Sequence, residues 1–460
     1  MPNTAMPPRP DPSNVQGMIL RGYTHPYSCH MLFTFASRPG AAEFIRALIP
    51  YLQSAQDWGD NKPARMLNIG LTYDGILMFD GALKGQFPSE FKAGPASPDS
   101  QLSLNDIGGP GDPSLWWNGY KPAIHCIVHS YGMAADALGS LVETVSQAAQ
   151  TNGVTECRPL QSGSGRLEEY APLQDYIHFG YHDGIDNPVL GWPDDPADTV
   201  PSDANKFLIG YPGKGFIPGP QSGAAAEFAK DGCYNAFRVL YQDVGAFDRF
   251  LANYAQEVVT AIGGSLDDAK EWLAANLVGR WRNGSPLVLS PDAPNPATGD
   301  ATNFDYSADS AALKCPLAAH TRVANPRDES TFNTDTPVPR LLRRGMPYGA
   351  PPAPPDYNGE RGLIGLFLCG SLANQFEKLY SWINVNNFSS VFLPNLDTQD
   401  PLIANRLSPS KGGDPSFTIP IPNSSSPIKI PTLPPFVVTR GTAYCLLPSV
   451  PTLQRLAGMA

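Results

Sequence analysis

The feature of this sequence that most constrains its fold is a strand-like apolar run followed by a helix-like segment, a unit that occurs four times. The four apolar runs cover residues 31–37, 123–130, 234–242 and 363–370. After the first run, apolar side chains recur at the spacing of one helix face, namely Phe44, Ile45, Leu48, Ile49 and Leu52. The units form two pairs, so we expect a pseudo-duplicated α+β protein in which helices pack on one face of each sheet.

Long segments rich in proline, glycine, aspartate and serine separate these units, at about 86–121, 186–232, 285–310 and 391–436. The chain has 49 prolines and 43 glycines in 460 residues, whereas charged residues make up 16%. This composition disfavours coiled coils, and an apolar content of 42% disfavours disorder. Loops of this length in a compact protein are usually functional.

The charge and the cysteine pattern exclude several classes of protein. A net charge of −11 disfavours binding to nucleic acid or to anionic membranes. The first thirty residues lack the pattern of a signal peptide, and no stretch reaches the apolar length of a membrane span. The seven cysteines are scattered without a C-x-x-C motif, which is typical of reduced thiols. We expect a cytoplasmic protein, with leaderless export or encapsulation left open.

One histidine has neighbours that suit a cofactor. His320 lies in CPLAAHTRVANPR, with Arg322 two residues later and Arg327 seven residues later. An imidazole can bind a metal while guanidinium groups hold carboxylates of the same ligand, and haem needs both kinds of partner. On this segment alone, a surface loop with ordinary charges is the simpler interpretation.

Two further segments could carry chemistry. In GYHDGIDNP, Asp183 lies between glycines, whose backbone freedom could press an acid against a flat ligand and let it shuttle protons. A turn, or a calcium-binding loop that uses Asp183 and Asp186, explains this segment equally well. In LLRRGMPYG, Arg343 and Arg344 form a pair of cations in an apolar setting, which is most often an anchor for salt bridges.

Together and in this order, these segments resemble those of the dye-decolourising peroxidase family along nearly the whole chain. GYHDG is similar to that family's G-x-x-D-G signature, CPLAAHTRVANPR to its proximal-histidine segment, and LLRRGMPYG to the segment with its distal arginine. Supporting landmarks occur in the same order at residues 231–244, 277–287, 361–382 and 438–449.

The resemblance implies two ferredoxin-like halves of the dimeric α+β barrel type, with antiparallel sheets and helices on the outside. It also implies one b-type haem per chain, bound mainly against the second half. We therefore expect a flexible N-terminal tail over residues 1–14, a first half over 15–225 that includes the distal segment, and a second half over 226–460 that includes the proximal histidine. A homo-oligomer is left open.

Carried over residue by residue, the resemblance makes His320 the proximal ligand of the haem iron. Arg327 is the candidate partner of a haem propionate. Asp400, in QDPLI, resembles an acid placed near the proximal histidine, although the surrounding loop matches the family poorly.

On the other side of the haem, the resemblance makes Asp183 the distal acid–base, with Gly184 beside it in the signature. Arg343 is the distal cation, and Arg344 is the alternative. His182 could share proton transfer with Asp183 if it faced the same pocket. Gly365 stands where a bulkier residue would help to wall this pocket, so we expect a slightly larger cavity on the peroxide side.

The function implied is a haem peroxidase that reduces hydrogen peroxide and oxidises dyes or phenolics one electron at a time through a high-valent ferryl intermediate. An aspartate base stays ionised in mild acid, so activity should favour acidic pH. Electrons from bulky reductants would enter at the haem edge or through a surface aromatic residue, for which Tyr348 is one candidate. The alternatives are a haem or iron storage or delivery protein and a haem-free structural paralogue.

Overall fold

The computed structural model describes residues 9–119, 123–160, 164–169, 173, 175–192, 202–211, 217–327, 338–355, 357–384, 399–408, 414–421, 424 and 426–459. The strands in these residues are β1 (Tyr27–Phe35), β2 (Arg65–Leu71), β3 (Cys126–Gly132), β4 (Val154–Cys157), β5 (Leu167–Glu169), β6 (Leu190–Gly191), β7 (Ser202–Asp203), β8 (Cys233–Gln242), β9 (Leu342–Arg343), β10 (Pro347–Tyr348), β11 (Gly362–Cys369), β12 (Phe417–Ile419), β13 (Ile428–Ile430) and β14 (Val437–Leu447).

The α-helices are α1 (Gly17–Leu20), α2 (Arg38–Leu48), α3 (Tyr73–Phe79), α4 (Ser89–Ala93), α5 (Pro98–Leu104), α6 (Ala135–Thr151), α7 (Gly223–Ala229), α8 (Val244–Ile262), α9 (Leu266–Val278), α10 (His320–Ala324), α11 (Lys378–Ile383) and α12 (Val450–Leu456). A π-helical segment, Leu372–Glu377, leads into α11. None of the helices in the described part of the chain is long and apolar enough to cross a membrane.

Ten of the strands form one antiparallel sheet that closes into a barrel. The strand order is β10-β5-β1-β3-β2-β14-β8-β11-β9, with β4 beside β1, and β10 also pairs with β11. One seam between the halves is the pairing of Leu446 with Leu71. At the other seam Tyr348 pairs with Glu169, and Pro347 pairs with Leu363. The predicted α+β architecture of two sheet halves with helices outside is confirmed.

The predicted strand–helix units form for the reasons that their patterns suggest. In the first unit, the Ser37 side chain accepts a hydrogen bond from the Gly40 N–H and caps α2, which buries Phe44, Ile45 and Leu48 against the sheet. In the second half, Ser265 and Asp268 form a capping box at the start of α9. This helix ends at Gly279, whose φ of 89° suits glycine.

Two long barrel strands, β2 and β14, lie outside the four predicted units. The apolar run of β2 is interrupted by Asn68 and Gly70, and β14 contains an irregularity between Thr439 and Gly441. The predicted loop 86–121 contains the short helices α4 and α5. Parts of the predicted loops 186–232 and 391–436 lie outside the described residues.

The predicted flexible tail needs a correction. Residues 1–8 lie outside the described residues, but residues 9–14 belong to the folded body. The carbonyl of Pro12 accepts a hydrogen bond from Ala55, and that of Asn14 accepts one from Val450. The predicted boundary between residues 225 and 226 falls inside α7, so it cuts a helix.

Candidate active site

A cavity of about 250 Å³ lies between the loop at residues 177–186, α10, β9 and β11. Much of its wall is apolar and includes Phe179, Leu240, Val278, Leu366, Phe367 and Leu402. Its polar lining includes His182, Asp183, Asp186, His320, Arg340 and Arg343. The structure thus brings the three segments that the sequence analysis selected to one cavity.

His320 is the first residue of α10, and its Nδ1 donates a hydrogen bond of 2.6 Å to Oδ2 of Asp400. Asp400 is fully buried, and its Oδ1 accepts hydrogen bonds from the N–H groups of Leu402 and Ile403 at 2.8 and 3.1 Å. Burial alone would lower the pKa of His320, but the charge and the hydrogen bond of Asp400 outweigh it and raise this pKa. Because Asp400 engages Nδ1, the other ring nitrogen, Nε2, is left for a ligand.

Asp183 and Arg343 face each other in the same cavity. Nη1 of Arg343 lies 3.4 Å from Oδ1 of Asp183, and the two side chains are 39% and 38% exposed. Gly180 and Gly184 on either side of Asp183 have φ values of 83° and 80°, which only glycine adopts readily. The N–H of Arg343 donates to Oδ1 of Asn187 at 2.9 Å, which ties β9 to the Asp183 loop.

The structure distinguishes Arg343 from Arg344. Arg343 is the last residue of β9 and lines the cavity, whereas Arg344 follows the strand and is not among the lining residues. Nε of Arg344 donates to the carbonyl of Met18 at 3.0 Å, away from Asp183. Arg343 is therefore the arginine that accompanies Asp183.

At the rim of the cavity, two arginines hold one carboxylate. Asp186 accepts hydrogen bonds from Arg327 at 2.6 Å, from Arg340 at 3.2 Å and from Asn325 at 3.0 Å. Burial favours the neutral acid, but the charges of Arg340 and Arg327 outweigh it and lower the pKa of Asp186. Sequence reasoning missed Arg340, although it lies only three residues before Arg343.

The calcium-loop interpretation finds no support in this geometry, since the carboxylates of Asp183 and Asp186 each face an arginine. Among the described residues, no group of three or more His, Cys, Asp or Glu side chains could hold a metal ion.

The structure also places His182, which could share proton transfer with Asp183, and Tyr348, the candidate for electron entry. His182 lines the cavity, its Nδ1 lies 3.5 Å from Oδ1 of Asp300, and its ring lies against Tyr176. Tyr348 is fully buried, and its hydroxyl donates to Glu360 at 2.9 Å. Tyr348 is therefore not a surface residue that a bulky reductant could touch.

Comparison with known proteins shows which proteins this chain is similar to. No protein-family model matches the chain. The chain is 27% identical over 480 residues to Peroxidase 2 of Mycetinis scorodonius, which covers 96% of this chain and 86% of that protein. It is 29% identical over 379 residues to dye-decolorizing peroxidase msp1 of the same organism, which covers 76% of this chain and 69% of that protein. The solved structure of an ancestral D-type dye decolorizing peroxidase superimposes with a TM-score of 0.81 at 25% identity, over 97% of this chain and 98% of that one.

In sequence and in fold, the chain is similar to dye-decolourising peroxidases over nearly its whole length. It is a peroxidase, and the dye-decolourising peroxidases depend on haem. The residues of this peroxidase fit that group for three reasons. His320 offers one ring nitrogen while a buried carboxylate holds the other, Arg327 and Arg340 already bind a carboxylate, and the cavity wall is largely apolar.

The expectation that Gly365 enlarges the cavity needs a refinement. A β-carbon placed on Gly365 would lie 2.3 Å from Cε2 of Phe367 and 2.8 Å from its Cζ. The volume beside Gly365 in this peroxidase is therefore filled by the ring of Phe367. The glycine changes where that ring lies, and it does not simply leave an opening.

Proposed function

We propose that this peroxidase reduces hydrogen peroxide at a b-type haem, one per chain, with Asp183 as the distal acid–base and Arg343 as the distal cation. Its reductants are small aromatic molecules such as phenolics and dyes, which give up one electron at a time. The observation that carries this proposal is that a single cavity contains the His320–Asp400 pair together with the Asp183–Arg343 pair.

Four residues would hold the cofactor. His320 would bind the iron, and Asp400 would fix the orientation of its imidazole and increase its basicity. Arg327 and Arg340 offer guanidinium donors to the haem carboxylates. When bound, the haem supplies the iron that receives peroxide and the capacity to accept two oxidising equivalents. Gly184 carries no side chain, so a flat ligand can lie close to the neighbouring Asp183.

The protons of the reaction would be handled by Asp183. Its carboxylate takes the proton from the inner oxygen of hydrogen peroxide and returns it to the outer oxygen, which leaves as water. The guanidinium of Arg343, 3.4 Å from the carboxylate, stabilises the negative charge that develops on the departing oxygen.

The test is Asp183→Asn, an isosteric change that removes the base. We expect the variant to keep its Soret band and to lose about 100-fold or more of its peroxide-driven turnover of an anthraquinone dye. The matched control is Asp267→Asn, because the Asp267 side chain on α9 is 89% exposed and should leave turnover unchanged. An Asp183→Asn variant that oxidises the dye as fast as wild type would refute the assigned role.

A further inference from the structure

The wall of the cavity next to Arg343 is formed by β11. Phe367 is the register partner of Arg343, and directly paired residues of neighbouring strands project from the same face of a sheet. Phe367 therefore stands on the same side as the Asp183–Arg343 pair. Gly365 lies two residues earlier on the strand and on the same face.

The ring of Phe367 lies back along its own strand, over Gly365. Cε2 of the ring occupies a position 2.3 Å from where a β-carbon of residue 365 would be. Aromatic neighbours also contact this ring, with centroid distances of 5.5 Å to Phe376 and 6.3 Å to Tyr380. Any side chain at position 365 would have to displace the ring.

The direction of that displacement follows from what surrounds the ring. Phe376 and Tyr380 are packed against it, and the side chain of Arg343 is its cross-strand neighbour. Phe367 itself lines the cavity, so the cavity is the free volume next to it. A displaced ring would move into the space beside Asp183 and Arg343.

We propose that Gly365 is a specificity-determining residue, because it lets the ring of Phe367 lie against β11 and keeps the Arg343 side of the cavity deep enough for a small organic ligand. Ligands of this class have the size of an imidazole ring, larger than peroxide. This inference rests on the proposed function, since the depth is defined relative to a haem bound through His320.

The experiment measures ligand binding to the ferric holoprotein by the shift of the Soret band. The probes are cyanide, which is no larger than peroxide, and imidazole, which is one ring in size. For Gly365→Ala we expect the dissociation constant of imidazole to rise about 10-fold or more, while that of cyanide stays nearly unchanged.

Two further variants make the test specific. Gly365→Ala combined with Phe367→Leu replaces the ring by a smaller side chain and should restore imidazole binding towards the wild-type value. Gly139→Ala on α6 is the matched control, because a β-carbon there contacts nothing and ligand binding should not change. The double variant also separates a steric effect from a general loss of folding.

The outcomes separate this inference from the proposed function. Equal imidazole affinities in wild type and Gly365→Ala, with cyanide binding intact, would overturn the role of Gly365 alone. Loss of cyanide and imidazole binding together in Gly365→Ala, with no recovery in the double variant, would also overturn it. A wild-type chain that takes up no haem would overturn the proposed function and this inference with it.

Discussion

Two histidine pairs in this molecule have similar hydrogen-bond lengths and opposite electrostatics, although the His320 side chain is 31% exposed and His129 is fully buried. Nδ1 of His320 lies 2.6 Å from Asp400 at the cavity, and Nδ1 of His30 lies 2.8 Å from Nδ1 of His129 in the barrel. The carboxylate of Asp400 raises the pKa of His320 despite its burial. Burial, followed by the proximity of His30, lowers the pKa of His129 well below its usual value. The partner of a buried imidazole, more than burial itself, decides whether it carries charge.

The barrel pair has a structural role. His30 and His129 are register partners on β1 and β3, and both rings contact Phe237 of the second half. Nδ2 of Asn235 lies 3.4 Å from Nε2 of His129. The pair thus joins the two halves through a polar contact inside an apolar barrel, whereas the His320–Asp400 pair faces a ligand cavity.

The strongest way to sharpen this comparison is to remove one histidine from each pair. We expect His320→Ala to lose most of its Soret absorbance after expression with haem supplied, because the proposed iron ligand is gone. His129→Asn, the matched variant in the barrel, should bind haem like wild type. Wild-type haem content in purified His320→Ala would show that His320 is not the ligand.

A smaller effect is expected when the partner at the cavity is changed. Asp400→Asn keeps an oxygen for the N–H groups of Leu402 and Ile403 but removes the negative charge behind His320. We expect about a 10–100-fold loss of haem affinity or turnover, with a higher reduction potential of the iron. Spectroelectrochemistry checks the potential, with the exposed Asp292→Asn as control. An unchanged potential would contradict the role given to Asp400.

In the barrel, the corresponding change should affect stability and not chemistry. His129→Asn leaves His30 without its partner ring nitrogen, and we expect the free energy of unfolding to fall by about 1–3 kcal/mol. Urea denaturation followed by far-UV circular dichroism measures this change. If His129→Asn reduced dye turnover but left the unfolding midpoint in place, the contrast between the two pairs would fail.

The smallest effect is the pH dependence of stability. His129 has a lowered pKa in the folded chain, so below pH ~6.5 the unfolded chain binds a proton that the folded chain does not. The contribution of His129 is therefore present above that pH and is lost as the pH falls, by up to about 1.4 kcal/mol per pH unit. Unfolding at pH 7, 6 and 5 should give a shallower slope for His129→Asn than for wild type, and equal slopes would contradict the linkage.

Acid affects the stability of the fold and the proposed turnover in opposite directions. Burial lowers the pKa of His25, His125 and His178 as well as that of His129, so acid weakens the fold at several places. The proposed base, Asp183, favours turnover in acid. We therefore expect the stability of the fold to limit the working range of the enzyme on the acid side.

How much the sequence predicted depended on how local each feature is. The strand–helix units follow from periodicity within one segment, and the structure confirms them. The pairing of His320 with Asp400 joins loops eighty residues apart, and only the resemblance suggested it. The choice of Arg343 over Arg344 depends on which side chain faces Asp183 and which contacts Met18, and the sequence does not reveal these contacts.

Other features required tertiary information altogether. Arg340 binds Asp186 across more than one hundred and fifty residues, and the contact of Phe367 with Gly365 depends on a side-chain conformation. The His30–His129 pair depends on the register between β1 and β3, which no periodicity encodes. The fold class was thus accessible from local patterns, whereas the electrostatic partners were not.

The closure of the barrel by β10 has a mechanical consequence. Pro347–Tyr348 connects β5 of the first half with β11 of the second and begins four residues after Arg343. The segment that positions the Arg343 guanidinium beside Asp183 therefore also closes the barrel. We expect a local opening of the β10 pairing to move Arg343 away from Asp183. Inactivation would then begin as a local event that precedes the unfolding of the chain.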